Sequence, residues 1–324
     1  MLTTARVCGA PGFEYKWRKT IEKSRDGDQP GSSLGFPLNM TRLLLPARSP
    51  EIRSPVLSFI YRPRDDGNLY GTTLQGGAYG VGTIFEITTA GVLTPIHAFN
   101  HTDGAGPQSG VIEAGDGSFY GTTEGGGAHD DGTVFEFTGA GVLTIRHSFV
   151  GSDGSGPRGN VIQASNGNLY GTTAGGGAHG MGTVFEITPA GALTILHSFS
   201  GPDGAQPWAA LVQATDGSFY GTTTFGGTSP GNGADGTVFR LDTGLTPFVR
   251  ALPTYGIAGT EIGILGTDPT TATGVTFNSL AARFTVASPT EIVATIPIAA
   301  TTGPVAVTFP AGTLTTIGTF QVVP

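Results

Sequence analysis

The tetrad Tyr-Gly-Thr-Thr begins at Tyr70, Tyr120, Tyr170 and Tyr220, 50 residues apart each time. A fixed period of this size marks a stacked array, because a single unit so short cannot bury its own apolar face. Other positions keep the same beat. Phe85, Phe135 and Phe185 match, as do Phe99, Phe149 and Phe199. His97, His147 and His197 recur, with Asp103, Asp153 and Asp203, and with Pro107, Pro157 and Pro207. In the fourth unit a drift of four residues at Gly231–Ala234 moves the phenylalanine to Phe239.

The second unit shows the internal pattern. Short runs of strand formers, punctuated by glycine, predict strands over Val111–Ala114, Ser118–Thr123, Thr133–Thr138 and Val142–Phe149. Asp116-Gly117 and Ala140-Gly141 read as hairpin turns, because glycine accepts positive φ without a Cβ clash. Four strands in this length match one propeller blade in size. A Gly-Gly pair follows the tetrad, as in kelch repeats, but the kelch tryptophan is missing. The expected fold is therefore all-β: four propeller-type, four-stranded blades over residues 57–250, forming a ring or part of one. From about Ala251 the period stops, and six or seven short strands over 251–324 predict a small Ig-like β-sandwich. Residues 1–56 carry no repeat residue and differ in charge, so a disordered or misassigned start is expected there. Pro63 should interrupt the first strand of the first unit.

Charge narrows the range of partners. Residues 65–324 carry five arginines and no lysine against nineteen acids, a net of −14, while eleven of the sixteen basic residues lie in 1–64. An acidic, lysine-free repeat region is poorly suited to a phosphate backbone, so no nucleic-acid partner is expected. The single cysteine, Cys8, excludes an internal disulfide framework and any cysteine-based zinc site. No apolar run reaches the roughly 18 residues that would span a membrane as a helix. No signal peptide is visible at residues 1–30.

The repeated polar residues invite a chemical reading. With a two-residue Ala-Gly turn, Glu86 would stand opposite Pro95 and His97 would be its diagonal neighbour, allowing a Glu–His hydrogen bond. Arg240 and Val249 replace these two residues in the fourth unit, so both partners lapse together. A residue present in every unit most simply serves the unit. No catalytic, cofactor-binding or metal-ligating residue is assigned. The Asp-Gly loops at Asp103, Asp153 and Asp203 could offer oxygen ligands to Ca²⁺, but each supplies one carboxylate, and turn chemistry explains them better. The Gly-rich loops Gly125–Gly127 and Gly175–Gly177 lack the following Lys-Ser/Thr of a phosphate cradle. Function is expected where the units differ: at His129, Asp130 and Asp131, and at Trp208 and Phe225, whose rings could pack or stack on a sugar.

Asn68-Leu69-Tyr70-Gly71-Thr72-Thr73 and Gly182-Thr183-Val184-Phe185-Glu186-Ile187-Thr188 resemble the bacterial GloVer tandem-repeat ("choice-of-anchor") family, and the likeness covers about residues 65–250. Pro253-Thr254-Tyr255-Gly256, Gly259-Thr260, Val275-Thr276-Phe277-Asn278 and Gly318-Thr319-Phe320 resemble an IPT/TIG domain, an Ig-like fold. These resemblances imply a secreted or cell-surface, non-enzymatic protein of unknown ligand. The expected role is a scaffold or ligand-binding module, with a surface polysaccharide or another surface protein as candidate partner and no cofactor. The alternative is a carbohydrate-active enzyme with a propeller catalytic domain.

Overall fold

The computed structural model describes residues 57–60, 67–228 and 235–323. The chain divides into two compact units, Met1–Arg48 and Ser49–Pro324, and every described residue belongs to the second. The expectations for residues 1–56, for Pro63 and for the drift at Gly231–Ala234 lie outside the described residues.

Each of the first three repeats is an antiparallel meander whose four strands pair in chain order. Repeat one comprises β1 (Leu57–Ile60), β2 (Leu69–Thr73), β3 (Thr83–Ile87) and β4 (Leu93–Ala98). Repeat two comprises β5 (Ile112–Glu113), β6 (Phe119–Thr123), β7 (Thr133–Phe137) and β8 (Leu143–Ser148). Repeat three comprises β9 (Ile162–Gln163), β10 (Leu169–Thr173), β11 (Thr183–Ile187) and β12 (Leu193–Ser198). The second and third strands of these three units are covered on both faces; in repeat two every residue of β6 and β7 is buried. That is why these strands read as runs of apolar and small residues without solvent-facing alternation.

The tetrad glycine has a specific partner. Gly71, Gly121, Gly171 and Gly221 stand opposite Phe85, Phe135, Phe185 and Phe239. In repeats two to four the phenyl ring folds over its glycine: a Cβ added at Gly121 would lie 2.5 Å from Phe135 Cζ. An aromatic covering a cross-strand glycine restores the packing that the glycine lacks.

The apolar core lies between successive repeats. Tyr70, Ile84 and Phe99 of repeat one pack with Val111, Phe119, Phe135 and Phe137 of repeat two. Tyr120, Val134 and Phe149 meet Val161, Leu169, Phe185 and Ile187, and Tyr170, Val184 and Phe199 meet Leu211 and Phe219. Ring contacts cross every boundary, at 4.4 Å between Tyr70 and Phe119 and 4.3 Å between Tyr170 and Phe219. Burying one such side chain contributes about 1.5–3 kcal/mol, and each boundary buries several. Polar bonds add register. The first tetrad threonine donates its hydroxyl to a carbonyl of the following repeat: Thr72 to Ser109 (2.7 Å), Thr122 to Gly159 (3.2 Å) and Thr172 to Ala209 (3.2 Å).

The fourth repeat departs from the expected four strands. Among the described residues it has three: β13 (Val212–Gln213), β14 (Phe219–Thr222) and β15 (Val238–Leu241). The segment expected to supply the fourth strand turns away. Phe248 N donates to Thr215 O (2.9 Å), and Val249 bridges Thr316 and sits in a different core. The outer face of repeat four is also bare. Val238 is 79% exposed, whereas Ile84, Val134 and Val184 at the same position are fully buried. No described sheet covers this face.

Beyond it, β16 (Arg250–Leu252), β18 (Glu261–Leu265), β19 (Gly274–Phe277), β20 (Leu280–Ser288), β21 (Glu291–Thr295), β22 (Val305–Phe309) and β23 (Gly312–Thr315) form a seven-stranded sheet. Its order is β16-β18-β21-β20-β19-β22-β23. A separate parallel pair joins β17 (Tyr255–Ile257) to β24 (Gln321–Val323). Nine strands thus stand where six or seven were expected. Val249, Ile264, Phe277, Ile292, Ile296, Val305, Val307 and Phe320 belong to a core of their own, distinct from the clusters between repeats.

Candidate functional site

The repeated Glu and His do not bond to each other, which corrects the sequence expectation. The turn after the third strand is longer than the two residues assumed: Thr88 N donates to Val92 O (2.9 Å), and Gly91 lies at φ 79°. Three residues, Thr89 to Gly91, therefore close the hairpin, which shifts the register by one. Glu86 consequently faces Thr94, and a β-bulge between Ile84 and Phe85 places His97 opposite Ile84.

Each polar group has a partner elsewhere. His97, His147 and His197 bond through Nε2 to Asp103, Asp153 and Asp203 at 2.9, 3.0 and 2.7 Å. The other oxygen of the same aspartate accepts a loop amide: Asn100 N (2.9 Å), Val150 N (2.9 Å) and Ser200 N (2.8 Å). The Asp-Gly loops are thus tied to the fourth strand by their own carboxylates. Burial pushes the Asp203 carboxyl up, but the hydrogen bonds from Ser200 and His197 outweigh it and leave the group below its ordinary range.

In repeats one and three the repeated glutamate accepts from the tetrad tyrosine. Glu86 accepts from Asn68 Nδ2 (2.7 Å) and Tyr70 OH (2.9 Å). Glu186 accepts from Asn168 Nδ2 (2.6 Å), Tyr170 OH (2.7 Å) and Asn166 Nδ2 (3.2 Å). Burial raises the Glu186 carboxyl, and these three donors more than reverse the effect. Repeats two and four carry serine where the asparagine stood, and there an arginine enters. Arg146 pairs with Glu136 in repeat two, and Arg240 donates to Ser218 Oγ (2.8 Å) in repeat four. Arg240, at the position of the glutamate, thus bonds to Ser218 and not to a histidine. In repeat two, burial and the nearby Asp116 and Glu136 charges push the Tyr120 phenol up to about 12. Asp130 and Asp131, singled out by their variation, hold loop backbone: they accept from Gly126 N (2.8 Å) and Gly151 N (2.8 Å). His129 is exposed beside them. Among the described residues no group of three or more His, Cys, Asp or Glu is placed to hold a metal ion.

Five further non-repeated residues gather in one row. The loop after the second strand and the loop that enters each repeat are bonded together, as at Ala105–Gly125, Ser155–Gly175 and Ala205–Phe225. Along this shared face Gln108 donates to Glu124, and Arg158 grips Glu124 Oε1 through Nε (2.9 Å) and Nη2 (2.6 Å). The Arg158 guanidinium lies over the Trp208 ring at 4.6 Å, and Phe225 meets that ring edge-on at 6.2 Å. The row crosses three repeats. Its polar end is half-buried, and its aromatic end is open, with Trp208 40% and Phe225 45% exposed. Gln108, Arg158 and Trp208 are one structural position, the residue after the repeated proline. Trp208 and Phe225 stood out in the sequence; Glu124 and Arg158 did not, although their opposite charges 34 residues apart were the available signal.

A second feature is a groove between repeats three and four. It has a volume of about 190 Å³ and is lined by Val184, His197, Phe199, Asp203, Phe239, Arg240 and Leu241.

Comparison with known proteins gives the following. A protein assigned as a gluconolactonase is 14% identical, over 82% of this chain and 89% of that one, with a TM-score of 0.39. A gluconolactonase from Xanthomonas campestris is 14% identical, over 72% and 83%, with a TM-score of 0.36. SGBP-B of the Bacteroides ovatus mixed-linkage glucan utilization locus, solved with a mixed-linkage heptasaccharide, is 13% identical, over 86% and 69%, with a TM-score of 0.25. At these values none of the three bears on activity. A search of curated proteins finds no significant match. The Gloeobacter/Verrucomicrobia repeat model matches residues 60–279, more than half of the chain. That span takes in all four Tyr-Gly-Thr-Thr units, and the chain belongs to the Gloeobacter/Verrucomicrobia repeat family.

Proposed function

We propose that the protein is a non-enzymatic, extracytoplasmic binding module that holds carbohydrate along the Glu124–Arg158–Trp208–Phe225 row. One observation carries this reading. The repeated Glu, His and Asp side chains are engaged within their own units, whereas Glu124, Arg158, Trp208 and Phe225, none of them repeated, lie together along one face. Exposed aromatic rings beside a planar guanidinium and amide suit a ligand with apolar ring faces and many hydroxyls, and aromatic side chains supply such contact with a polar edge at hand. The row contains one carboxylate, Glu124, already engaged by Arg158 and Gln108, which favours holding a ligand over hydrolysing it. In this reading the meanders are propeller-type blades. The C-terminal sheets are an IPT/TIG-like spacer or docking unit at the cell surface.

A glycan array on the full chain, with titration of the best binder, tests the proposal. Trp208→Ala should weaken binding about tenfold or more, the equivalent of about 1.4 kcal/mol. A null result across polysaccharides, or a Trp208→Ala variant that binds as tightly as the wild type, would sink it.

A further inference from the structure

We propose that repeat four is a strand acceptor: an extended segment of a partner polypeptide adds to β15 as the missing fourth strand. The seat is defined by its three filled counterparts. In repeats one to three the third strand pairs with β4, β8 or β12. Those strands read Leu-Thr-Pro-Ile-His-Ala, Leu-Thr-Ile-Arg-His-Ser and Leu-Thr-Ile-Leu-His-Ser. Their aliphatic residues close the boundary with the preceding repeat: Leu143 and Ile145 pack on the cluster of Tyr70 and Phe135, and Leu193 and Ile195 on that of Tyr120 and Phe185.

Repeat four has the matching sequence, Leu245-Thr246-Pro247-Phe248-Val249-Arg250, but not the strand. The C-terminal sheet holds Val249 through Thr316, and Arg250–Leu252 pairs with β18. Three consequences meet at one place. Among the described residues β15 pairs on one side alone, with β14. Leu245 still packs on the cluster of Tyr170 and Phe219, but the groove over Val184, Phe199, Phe239 and Leu241 stands open where the later residues of a fourth strand would lie. The polar pair at its rim is uncovered too: His197 and Asp203 are 39% and 40% exposed, against 20% and 22% for His147 and Asp153. An open strand edge above an apolar floor is the arrangement that takes up an extended peptide. Main-chain bonds give affinity, and alternate side chains give specificity. The three filled seats state the chemistry of the occupant: a short extended segment with leucine or isoleucine at alternate positions.

The test uses the full chain and a fluorescein-labelled peptide with the β8 sequence Leu143–Phe149, followed by anisotropy. Saturable binding is expected. Leu143→Ser with Ile145→Ser in the peptide should weaken it at least tenfold, as should Leu241→Lys in the protein, checked for an unchanged thermal midpoint. The peptide variant keeps the test decisive if Leu241→Lys fails to fold. Trp208→Ala should leave peptide binding unchanged, which separates this site from the carbohydrate row. Absence of saturable binding, or equal binding of the serine peptide, would overturn the proposal. So would sedimentation showing a wild-type dimer that Leu241→Lys converts to monomer, because a second copy would then fill the seat.

Discussion

Replacing the tetrad glycine of repeat two by alanine tests the packing that defines this repeat. Gly121 has no positive φ, so alanine meets no backbone strain, and on backbone entropy alone Gly→Ala in a strand favours folding by about 0.5–1 kcal/mol. The ring opposite decides otherwise. An added Cβ would lie 2.5 Å from Phe135 Cζ and 3.1 Å from both Cε atoms, against an optimal carbon separation of about 3.5–4.0 Å. The ring has nowhere to retreat, because Phe135 is fully buried and packs on Phe99 at 5.2 Å. Overpacking of this kind costs about 1–3 kcal/mol, more than the entropy gain. Gly121→Ala should therefore destabilise the protein by about 1–2 kcal/mol and lower the thermal midpoint by roughly 2–6 °C in calorimetry. The double-mutant cycle identifies the cause. In a Phe135→Leu background the alanine should be nearly neutral, giving a coupling of about 1–2 kcal/mol. A Gly121→Ala protein as stable as the wild type, or an equal penalty in both backgrounds, would refute the argument.

Two further outcomes follow from the same geometry. Thr173→Val removes the hydroxyl that contacts Thr183 Oγ1 (2.8 Å), accepts from Thr183 N (3.1 Å) and donates to Gly175 O (2.8 Å) in a buried site. It should cost about 1–3 kcal/mol in urea denaturation, with Thr173→Ser close to wild type. Acid should destabilise the repeats. Glu186 and Asp203 both titrate below their ordinary values of 4.5 and 3.8 in the folded chain. Their contribution is full above those values and is lost as pH falls through the lower folded-state ones. The thermal midpoint, followed by circular dichroism from pH 6 to pH 2, should drop below about pH 4.5, and Glu186→Gln should flatten the drop; a midpoint independent of pH over that range would contradict the assignment.

Much of the repeat was legible because its information is local. A hairpin is encoded within some twenty residues, so the strand runs around Tyr120 and Phe135 could be read directly, with errors of one or two residues at their ends. The partner of His147 was not legible. It depended on whether the preceding turn held two residues or three, and one residue of register moves every side chain to a different neighbour. The row from Glu124 to Phe225 was half legible: its aromatic residues stood out, but its ion pair joins loops of different repeats.

The sequence by itself determined the period and the meander, because each copy repeats the same short-range pattern and the copies corroborate one another. Only the tertiary structure decided the fate of Leu245–Arg250. Its residues match a fourth strand, and a second sheet competes for the same backbone. Val249 and Ala251 are buried in the C-terminal core, and one strand cannot serve both sheets. Which sheet wins depends on contacts with Thr316 and Leu265, far along the chain, and no local pattern records them.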